Sequence, residues 1–340
     1  MKKTSSTIIG LMCAVSLAIP YAEGQAVTQE TSATQQSETQ QAQTQQTAPP
    51  AVDTTPAFSD VNAGDDHYIA IKFLKDRHII DGYSDGTFQP LKEINRAEAL
   101  KIILGTINKT PEKDILTNVS LTFSDVDPSA WYAPYIKKGL QNQIIGGYPD
   151  GTFQPDQTIN RVESLKMVLL EENHELPVTI DTAPYSDVPA DTWFAPYAQV
   201  SKDRGLILED RAAGALNPDE PMNRGDFAEL IYRLLESTNG YKFGRATYYA
   251  DSLAGYGTAS GDPYNPMIYT VAHKTLPMGT LLKVTNLANG QSVEVKVNDR
   301  GPYATGVELD LSKSAFAAIA DPSTGIIVTQ FQIISQPSNG

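Results

Sequence analysis

The chain has 340 residues, a length sufficient for two or three domains, and a formal net charge of -14 at pH 7. Residues 57 to 239 carry 29 Asp and Glu against 17 Lys and Arg, whereas residues 240 to 340 carry seven of each. Neither region offers the basic face that binding to phosphates requires, so nucleic acid is excluded as a partner.

The first 24 residues have the pattern of an export signal. Two lysines precede an apolar stretch from Ile8 to Ile19, and small residues near Gly24 offer cleavage points. We therefore predict a signal peptide over residues 1–24 and export of the mature protein. The only cysteine, Cys13, lies within this signal, in a sequence that is a poor lipoprotein box.

The mature protein is expected to contain no disulfide, no metal and no cofactor. Cysteine is removed with the signal, and the four histidines show no spacing typical of metal ligands. No other apolar run reaches the roughly 18 residues needed to cross a bilayer, so no transmembrane segment is predicted. Attachment to the cell is therefore expected to come from a binding module.

Residues 25–56 consist mainly of Gln, Thr, Ser, Ala and Pro, with almost no large apolar side chains. This composition cannot bury enough apolar surface to offset its ordering entropy, which predicts a disordered linker. The linker either holds the folded parts away from the processing site or is a simple spacer.

The middle of the chain contains an internal repeat. Phe-Ser-Asp-Val at residue 58 recurs at residue 123 and, as Tyr-Ser-Asp-Val, at residue 185. Residues 82–90 match residues 147–155 at all but one position, and the shared Asp-Gly pair supplies a turn, but Leu208 to Pro218 in the third copy lacks this pattern. We predict three repeats, over residues 57–110, 122–175 and 184–238.

Each repeat has a capping-box signature before its second helix. Asn95, Asn160 and Asn223 each stand three residues before an acidic residue, so that side chains and backbone amides at the helix start can satisfy one another. Apolar residues follow at helical spacing, so each helix is expected to bury one stripe. Three helix–loop–helix units are predicted to share one core.

These three landmarks resemble those of S-layer homology repeats. The resemblance implies an all-α three-repeat bundle that attaches noncovalently to the cell envelope, typically to an anionic secondary cell-wall polymer. The family more often has Thr where this chain has Asn95, and both side chains can cap a helix.

The polymer is expected to contact the helix starts and the Asp-Gly loops. The three arginines after the capping Asn residues lie where the helix dipole and free N–H groups favour an anion, although each could instead form an intramolecular salt bridge. Trp131 and Trp193 each either stack on a sugar or, the alternative we favour, pack in the hydrophobic core. Because the third repeat lacks its loop pattern, at most two competent pockets are expected. The expected contacts are Arg96, Arg161, Arg224, Asp85, Gly86, Asp150, Gly151 and Trp131.

The C-terminal region has the pattern of a small β structure. Valines alternate with charged residues from Val293 to Val297, and Asn289-Gly290 before this run is a strong hairpin signal. Ser312 to Ile319 is predicted to be a short capped helix and Ile326 to Ile334 a closing strand. These elements predict a β-barrel that carries one helix.

Residues 243–335 closely resemble the rare lipoprotein A (RlpA) family. The resemblance implies an all-β six-stranded double-psi β-barrel and a peptidoglycan lytic transglycosylase, which cleaves between N-acetylmuramic acid and N-acetylglucosamine and leaves a 1,6-anhydro end. The motifs that carry it include Gly244-Arg245-Ala246-Thr247-Tyr248-Tyr249, Thr258-Ala259-Ser260-Gly261, Ala272-His273, Asn298-Asp299-Arg300-Gly301-Pro302 and Asp310-Leu311-Ser312.

The chemistry predicts a carboxylic acid as the central catalytic group. Glycosidic cleavage needs an acid for the leaving oxygen, and a lytic transglycosylase needs a base for the C6 hydroxyl of the sugar. Asp299 is the first candidate, because a strand end beside a Gly-Pro loop is a rigid and partly desolvated position. His273 is the second, as a proton shuttle or orienting donor, and Asp262 is the third, where the family usually has Glu. Asp299 could instead belong to a structural turn, and His273 could be a buried imidazole.

Five further residues are expected to bind substrate. Asn265 stands where the family usually has Asp, and it can hydrogen-bond but not titrate. Arg300 could hold the lactyl carboxylate of muramic acid or could neutralise Asp310. Tyr264 could stack on a sugar or pack within the barrel. Ser260 and Asn298 complete the set.

Three hypotheses about function remain open at this point. The first is an envelope-anchored enzyme that cleaves peptidoglycan glycan strands. The second is a peptidoglycan-binding cell-surface protein without turnover, and the third is a structural component of a surface layer. All three place the protein outside the cell, at the cell wall.

Overall fold

The computed structural model describes residues 55–106, 119–210 and 213–337. The predicted signal peptide, including Cys13, and nearly all of the predicted linker over residues 25–56 lie outside these ranges. Within them, no helix is long and apolar enough to cross a membrane.

The three repeats each contain two helices joined by a loop. The helices are α1 (Tyr68–Asp76), α2 (Arg96–Gly105), α3 (Ala133–Gln141), α4 (Arg161–Glu171), α5 (Ala195–Arg204) and α6 (Arg224–Thr238). Their apolar faces meet in one core that takes Leu74 and Leu100 from the first repeat, Leu165 from the second and Phe227 from the third. The three units share one core, as the sequence predicts.

The second helix of each repeat begins at the predicted Asn cap. The capping boxes of Asn95 with Glu98 and of Asn160 with Glu163 are complete, with reciprocal side-chain and backbone hydrogen bonds. The predicted third box is only half formed. Asn223 accepts from the backbone N–H of Asp226, but the Asp226 carboxylate bonds the Asn223 side-chain amide at 2.8 Å, because Asp is one methylene shorter than Glu.

Isolated β-bridges close the three repeats into a ring. Asn95 pairs with Thr158 of the second repeat, and Asn160 pairs with Pro221 of the third. Glu93 then pairs with Asn223, which joins the first repeat to the third. The sequence analysis predicted an all-α bundle and did not predict these β-bridges between the repeats.

The loop between the two helices has one hydrogen-bond scheme in all three repeats. The carboxylate of Asp60 accepts from the backbone N–H groups of Phe88 and Gln89, both at 2.8 Å. Asp125 does the same in the second repeat, and Asp187 in the third accepts from Leu216 and Asn217 at 2.8 Å. The third loop therefore keeps its backbone anchor although it has lost the Asp-Gly-Thr-Phe sequence.

The C-terminal region is a closed six-stranded barrel, as predicted. Its strands are β1 (Lys242–Tyr248), β2 (Thr270–Ala272), β3 (Leu281–Asn286), β4 (Ser292–Asp299), β5 (Leu309–Leu311) and β6 (Ile327–Ser335). They close in the order β1, β5, β2, β4, β3, β6, with β1–β5 and β2–β4 parallel and the other pairs antiparallel. The predicted hairpin is β3–β4, and the predicted helix is α7 (Lys313–Ala317). The predicted side-chain cap at Ser312 is wrong, because the Ser312 hydroxyl accepts from the Thr270 backbone N–H at 3.2 Å and not from the helix.

The bundle packs directly against the barrel. Tyr232 of α6 and Ala70 of α1 form a small buried cluster with Phe243 of β1 and Leu287, which follows β3. The rings of Tyr232 and Phe243 meet edge to face with their centroids 5.9 Å apart. The connection from α6 to β1 spans only residues 239–241, so this contact joins adjacent elements of the chain.

Candidate functional site

Two carboxylates lie on the two strands that flank β2 in the barrel. Asp299 is the last residue of β4, and Asp310 is the middle residue of β5. Ala272 of β2 is the register partner of both residues, so the two carboxylate-bearing strands lie on either side of the same residue. Asp310 was not among the catalytic residues that the sequence predicted.

Asp299 is held by three hydrogen-bond donors. Its Oδ2 accepts from the Tyr249 hydroxyl at 2.7 Å, and its Oδ1 accepts from the backbone N–H groups of Ala259 and Arg300, both at 2.8 Å. A carboxylate has about four acceptor positions, so one remains for a substrate group. The Asp299 side chain is therefore held by the residue that follows β1, by the 258–262 loop and by the backbone of the next residue in the chain.

Asp310 is half-buried and has one side-chain hydrogen-bond donor among the described residues. Burial raises its pKa to about 6, the Thr247 hydroxyl bond acts against this shift, and the nearby charge of Asp299 adds to it. Thr247 donates to Oδ1 of Asp310 at 2.8 Å. The two carboxyl groups therefore differ in environment, which is the arrangement that divides acid and base roles within a pair.

An aromatic pair lines the site beside Asp299. Tyr249 and Tyr264 pack with ring centroids 4.8 Å apart and an interplanar angle of 34°. Burial, followed by the hydrogen bond to Asp299, raises the pKa of Tyr249, so this hydroxyl stays a donor. Tyr264 is only 4% exposed, and its hydroxyl accepts from the Lys313 backbone N–H at 3.3 Å. Tyr264 thus packs within the barrel, which was one of the two alternatives.

The 258–262 loop closes over the backbone next to Asp299. The N–H of Ser260 donates to the carbonyl of Asn298 at 2.9 Å, and its hydroxyl donates to Oδ2 of Asp262 at 3.2 Å. Asp262 is exposed and belongs to the same loop, in which the N–H of Ala259 donates to Asp299. Asn265 is also exposed, and its side-chain oxygen accepts from the Met267 N–H at 2.9 Å.

The His273 backbone N–H donates to the Asp299 carbonyl at 3.2 Å, but the side chains of these two residues have different partners. Nδ1 of His273 accepts from the backbone N–H groups of Thr275 and Leu276 at 3.1 and 3.0 Å, so the ring proton is assigned to Nε2. Nε2 lies 3.2 Å from Oε1 of Glu308, although the angle falls short of hydrogen-bond geometry. The imidazole is 4% exposed. Among the described residues, no side-chain hydrogen bond joins it to Asp299 or Asp262, so the predicted trio is not brought together as one cluster.

Arg300 does not neutralise Asp310. Its Nη1 donates to the carbonyls of His273 and Leu276 at 3.2 and 2.9 Å, which leaves the Asp310 carboxyl without that counter-charge. Asn298 is buried and contributes its carbonyl to the Ser260 contact. In the described ranges, no group of three or more His, Cys, Asp and Glu residues could hold a metal ion.

Sequence reasoning missed Asp310 and Thr247 as site residues. A signal was present, because Asp310 lies between Leu309 and Leu311, which face the barrel core, so period-2 alternation puts Asp310 on the other face. Thr247 is the register partner of Asp310 in the parallel pair of β1 and β5. That pairing is non-local and could not be derived from residue spacing.

The predicted polymer-binding arginines all make intramolecular contacts between repeats. Nε of Arg96 donates to the Phe153 carbonyl at 3.0 Å, and Nη1 lies 3.4 Å from Glu163. Arg161 bonds the Leu216 carbonyl and Glu220, both at 2.8 Å.

Arg224 completes the ring of contacts. Its Nε donates to the Phe88 carbonyl of the first repeat at 2.8 Å, and its guanidinium lies 4.7 Å from the Tyr83 ring centroid. Arg96 and Arg224 are both buried. Each guanidinium therefore bridges two repeats, and the salt-bridge alternative describes its present contacts.

The other predicted polymer contacts lie on the surface. In the first two repeats the Asp85-Gly86 and Asp150-Gly151 loops are exposed, and Thr87 and Thr152 each donate twice to the Asp of their own loop. Trp131 is 53% exposed and Trp193 is 59% exposed, so a core role is wrong for both. Exposed aromatic faces of this kind are available to sugars.

Comparison with known protein families divides the chain into the same two regions. Residues 241–331 match the family described as lytic transglycolase. Residues 57–100, 122–163 and 184–228 match the S-layer homology domain. Each of these three segments lies within one of the predicted repeats, whose outer boundaries remain predictions.

Individual relatives match one region each. A probable endolytic peptidoglycan transglycosylase RlpA of Treponema pallidum is 49% identical over 83 residues, which cover 24% of this chain and 26% of the relative. The probable RlpA of Synechocystis sp. is 49% identical over 105 residues, covering 31% and 30%. The surface-layer 125 kDa protein of Lysinibacillus sphaericus is 31% identical over 173 residues, covering 50% and 14%.

This chain thus spans less than a third of the length of each of these three relatives. The matches show three S-layer homology repeats followed by an RlpA-like domain. This combination is that of an exported protein of the cell surface.

Proposed function

We propose that this protein, in which three S-layer homology repeats precede an RlpA-like barrel, is a lytic transglycosylase that is anchored in the cell wall and cleaves peptidoglycan glycan strands within their length. The observation that carries the proposal is the pair of Asp299 and Asp310, which flank Ala272 of β2, interact electrostatically and lie in different environments. The match to lytic transglycosylases over residues 241–331 supports the same reaction class. We also assign the closed barrel to the double-psi type, in keeping with its two parallel strand pairs.

Asp310 is the proton donor in this mechanism. Burial raises its pKa to about 6, so a substantial fraction carries a proton at mildly acidic to neutral pH. A donor with a pKa near the working pH is the most effective general acid. The Asp310 proton passes to the glycosidic oxygen as the bond between muramic acid C1 and that oxygen breaks, which releases the glucosamine end as an alcohol.

Asp299 is the base. Three donors fix its carboxylate, and the remaining acceptor position takes a hydrogen bond from the C6 hydroxyl of the muramic acid residue. The hydroxyl oxygen bonds to C1 as its proton moves to Asp299, and the product is a 1,6-anhydro ring. Water takes no covalent part, and exchange with solvent returns a proton to Asp310 and removes one from Asp299.

The surrounding residues bind and orient the glycan in this proposal. Asp262, Ser260 and Asn265 lie on or next to the exposed loop beside Asp299, where they can hydrogen-bond sugar hydroxyl and amide groups. Arg300 and Asn298 support the turn that carries Asp299, and Tyr264 supports Tyr249. We assign His273 a supporting role, because it contacts Glu308 and a backbone turn.

The repeats supply the anchor in this proposal. The exposed Asp-Gly loops at residues 85–86 and 150–151 and the exposed Trp131 are the surfaces offered to an anionic secondary cell-wall polymer. Arg96, Arg161 and Arg224 lie at the junctions between repeats beside these loops, and we propose that they add positive charge to the polymer site. Anchoring of this kind keeps the barrel where its glycan substrate is.

Product analysis in isotopically labelled water tests the proposed reaction. The full chain is incubated with peptide-free glycan strands in water enriched in oxygen-18, and the products are examined by mass spectrometry. Transglycosylation predicts internal cleavage and 1,6-anhydro ends without the label. Reducing ends that carry the label would show hydrolysis, and the absence of any cleavage between pH 4 and 8 would favour a non-catalytic peptidoglycan-binding protein.

The non-catalytic alternative has one specific observation in its favour. Asn265 stands where the family usually has Asp, and its side-chain oxygen is used by the Met267 N–H. If that position were the acid in this family, the barrel would bind glycan without cleaving it. Saturable binding with no product would then be the expected result for the wild-type chain.

A further inference from the structure

The two carboxylates of the site are the two ends of one loop. Residues 300–308 connect Asp299 at the end of β4 to the start of β5, where Asp310 follows directly. The parallel pair of β1 and β5 and the antiparallel pair of β2 and β5 hold only three residues of β5 in register. Any displacement of this loop is therefore transmitted to the spacing of the two carboxyl groups.

The third repeat touches this loop and the strand beside it. Gly214, in the loop of the third repeat, lies under Thr305, whose Cγ2 is 3.6 Å from the position that a Cβ on Gly214 would occupy. Nη1 of Arg245 in β1 donates to the Glu209 carbonyl at 2.8 Å. A cavity of about 130 Å³ separates the remaining surfaces, lined by Lys202 and Glu209 on one side and by Gly306, Val307 and Glu308 on the other.

The end of α5 approaches the backbone of β1 too closely for any side chain. Gly205 caps this helix with φ of +63°, and a Cβ there would lie 2.5 Å from the carbonyl oxygen of Phe243. Phe243 in turn packs on Tyr232, whose hydroxyl bonds the Gln330 side chain of β6. The third repeat is thus fitted to the barrel by backbone contact, by a polar contact and by an apolar cluster.

The equivalent loops of the other two repeats make no such contact. Gly86 and Gly151 are exposed, with open space around Gly151 and only Ser59 of its own repeat near Gly86, whereas Gly214 is buried. The third loop has also lost the Asp-Gly-Thr-Phe sequence while keeping the backbone bonds from Asp187. The loop of the third repeat therefore differs in sequence from the other two loops where it faces the barrel, but it keeps the same backbone hydrogen bonds.

We infer that the third S-layer homology repeat is the docking base of the barrel and a positioning element of its active site, because it holds the 300–308 loop that sets the two carboxylates. Two repeats then remain for the polymer, and the third couples the anchor rigidly to the barrel. The docking part of this inference stands on contacts alone, and the positioning part rests on the proposed function.

A matched pair of glycine variants of the full chain tests the docking. Gly205→Ala forces a methyl group against the Phe243 carbonyl, whereas Gly240→Ala imposes a similar positive φ, +85°, with nothing within 4 Å. The readout is amide hydrogen exchange at Val307 and Glu308, whose N–H groups bond the carbonyls of Ala304 and Arg245. We expect exchange to rise at least tenfold in Gly205→Ala alone, and equal exchange in the two variants overturns the inference.

A second pair keeps the test decisive if Gly205→Ala does not fold. Arg245→Ala removes the contact with the Glu209 carbonyl without adding volume, and Lys283→Ala on the exposed face of β3 is its control. We expect faster exchange at residue 308, together with a fall in kcat of about tenfold and a shifted pH profile, in Arg245→Ala only. Unchanged exchange in Arg245→Ala overturns the docking, and faster exchange with unchanged kcat overturns the positioning. An inactive wild-type chain contradicts the proposed function and with it the positioning, while the exchange result still decides the docking.

Discussion

Replacing Thr247 by Val removes the side-chain hydrogen bond that Asp310 receives within the described part of the chain. The Thr247 hydroxyl donates to Oδ1 of Asp310 at 2.8 Å and favours the charged form of that carboxyl. Valine has nearly the same shape and no donor, so burial and the charge of Asp299 act on Asp310 without opposition. The substitution therefore raises the pKa of Asp310 further.

The size of this effect follows from the strength of one hydrogen bond to a charged group. Such a bond contributes about 1.5 to 3 kcal/mol, and one pKa unit corresponds to about 1.4 kcal/mol. The pKa of Asp310, about 6 in the wild-type chain, is expected to rise by about one to two units. Because Asp310 acts in its protonated form, activity falls as pH rises through this pKa, and the basic limb of the profile moves to higher pH by the same amount.

The assay is the rate of formation of 1,6-anhydro ends on peptide-free glycan, measured for the full chain from pH 4 to pH 9. The control is Thr285→Val in β3, which removes a hydroxyl that contacts Ser292 at 2.9 Å, away from both carboxylates. The basic limb should move only in Thr247→Val. A limb that stays in place would refute the assignment of Asp310 as the acid, and a limb that moves to lower pH would refute the sign of the reasoning. The apparent pKa of the basic limb belongs to the coupled pair of Asp299 and Asp310. The measured quantity is therefore the difference in this apparent pKa between each variant and the wild type.

Three further predictions concern stability and anchoring. Burial lowers the pKa of His67, but its contacts with Asp226 and Glu229 outweigh burial and raise the pKa to about 9. The protonated imidazole therefore contributes about 3 kcal/mol to the free energy of unfolding below pH 6.5, and this contribution is lost as pH rises through 9. Urea unfolding at pH 6 and pH 9.5 should show the loss in the wild type and not in His67→Asn. Asn95→Ala removes a complete capping box and should lower the free energy of unfolding by about 1 kcal/mol, and an unchanged value would show that the cap is not needed. Trp131→Ala should reduce the amount of protein that co-sediments with purified wall polymer at least severalfold without lowering Tm. Leu91→Ala, at another exposed apolar position, should leave this binding unchanged. Equal binding by the two variants would show that Trp131 does not contact the polymer.

The local features of this fold were predictable because local chemistry determines them. Capping boxes at Asn95 and Asn160 depend on residues three positions apart, and the β3–β4 hairpin depends on the Asn289-Gly290 turn. The third box was predicted from the same spacing and is half formed, because spacing does not record that Asp is shorter than Glu. The bridges that close the ring of repeats join residues up to 130 positions apart, such as Glu93 and Asn223, and no local pattern predicts them.

The candidate site shows the same division. Asp299 and the loop around it were found from a motif that is contiguous in sequence. His273 belongs to an equally plain motif, yet its ring contacts Glu308 and a backbone turn, because the direction of a side chain at a strand end depends on the barrel's curvature. Asp310 and Thr247 meet only through the parallel pairing of β1 with β5, so their hydrogen bond could be read only from the structure.

The central claim is that two carboxyl groups of different environment divide the acid and base roles. The most direct measurement is the single-turnover rate of anhydro-end formation by the full-length Asp310→Asn and Asp299→Asn variants, with glycan affinity measured in parallel. The control is Glu294→Gln, at an exposed position of β4. We predict that each of the first two variants loses about 10² to 10⁴ in rate while glycan affinity changes little, and that Glu294→Gln keeps its rate. A wild-type rate in Asp310→Asn would contradict the account.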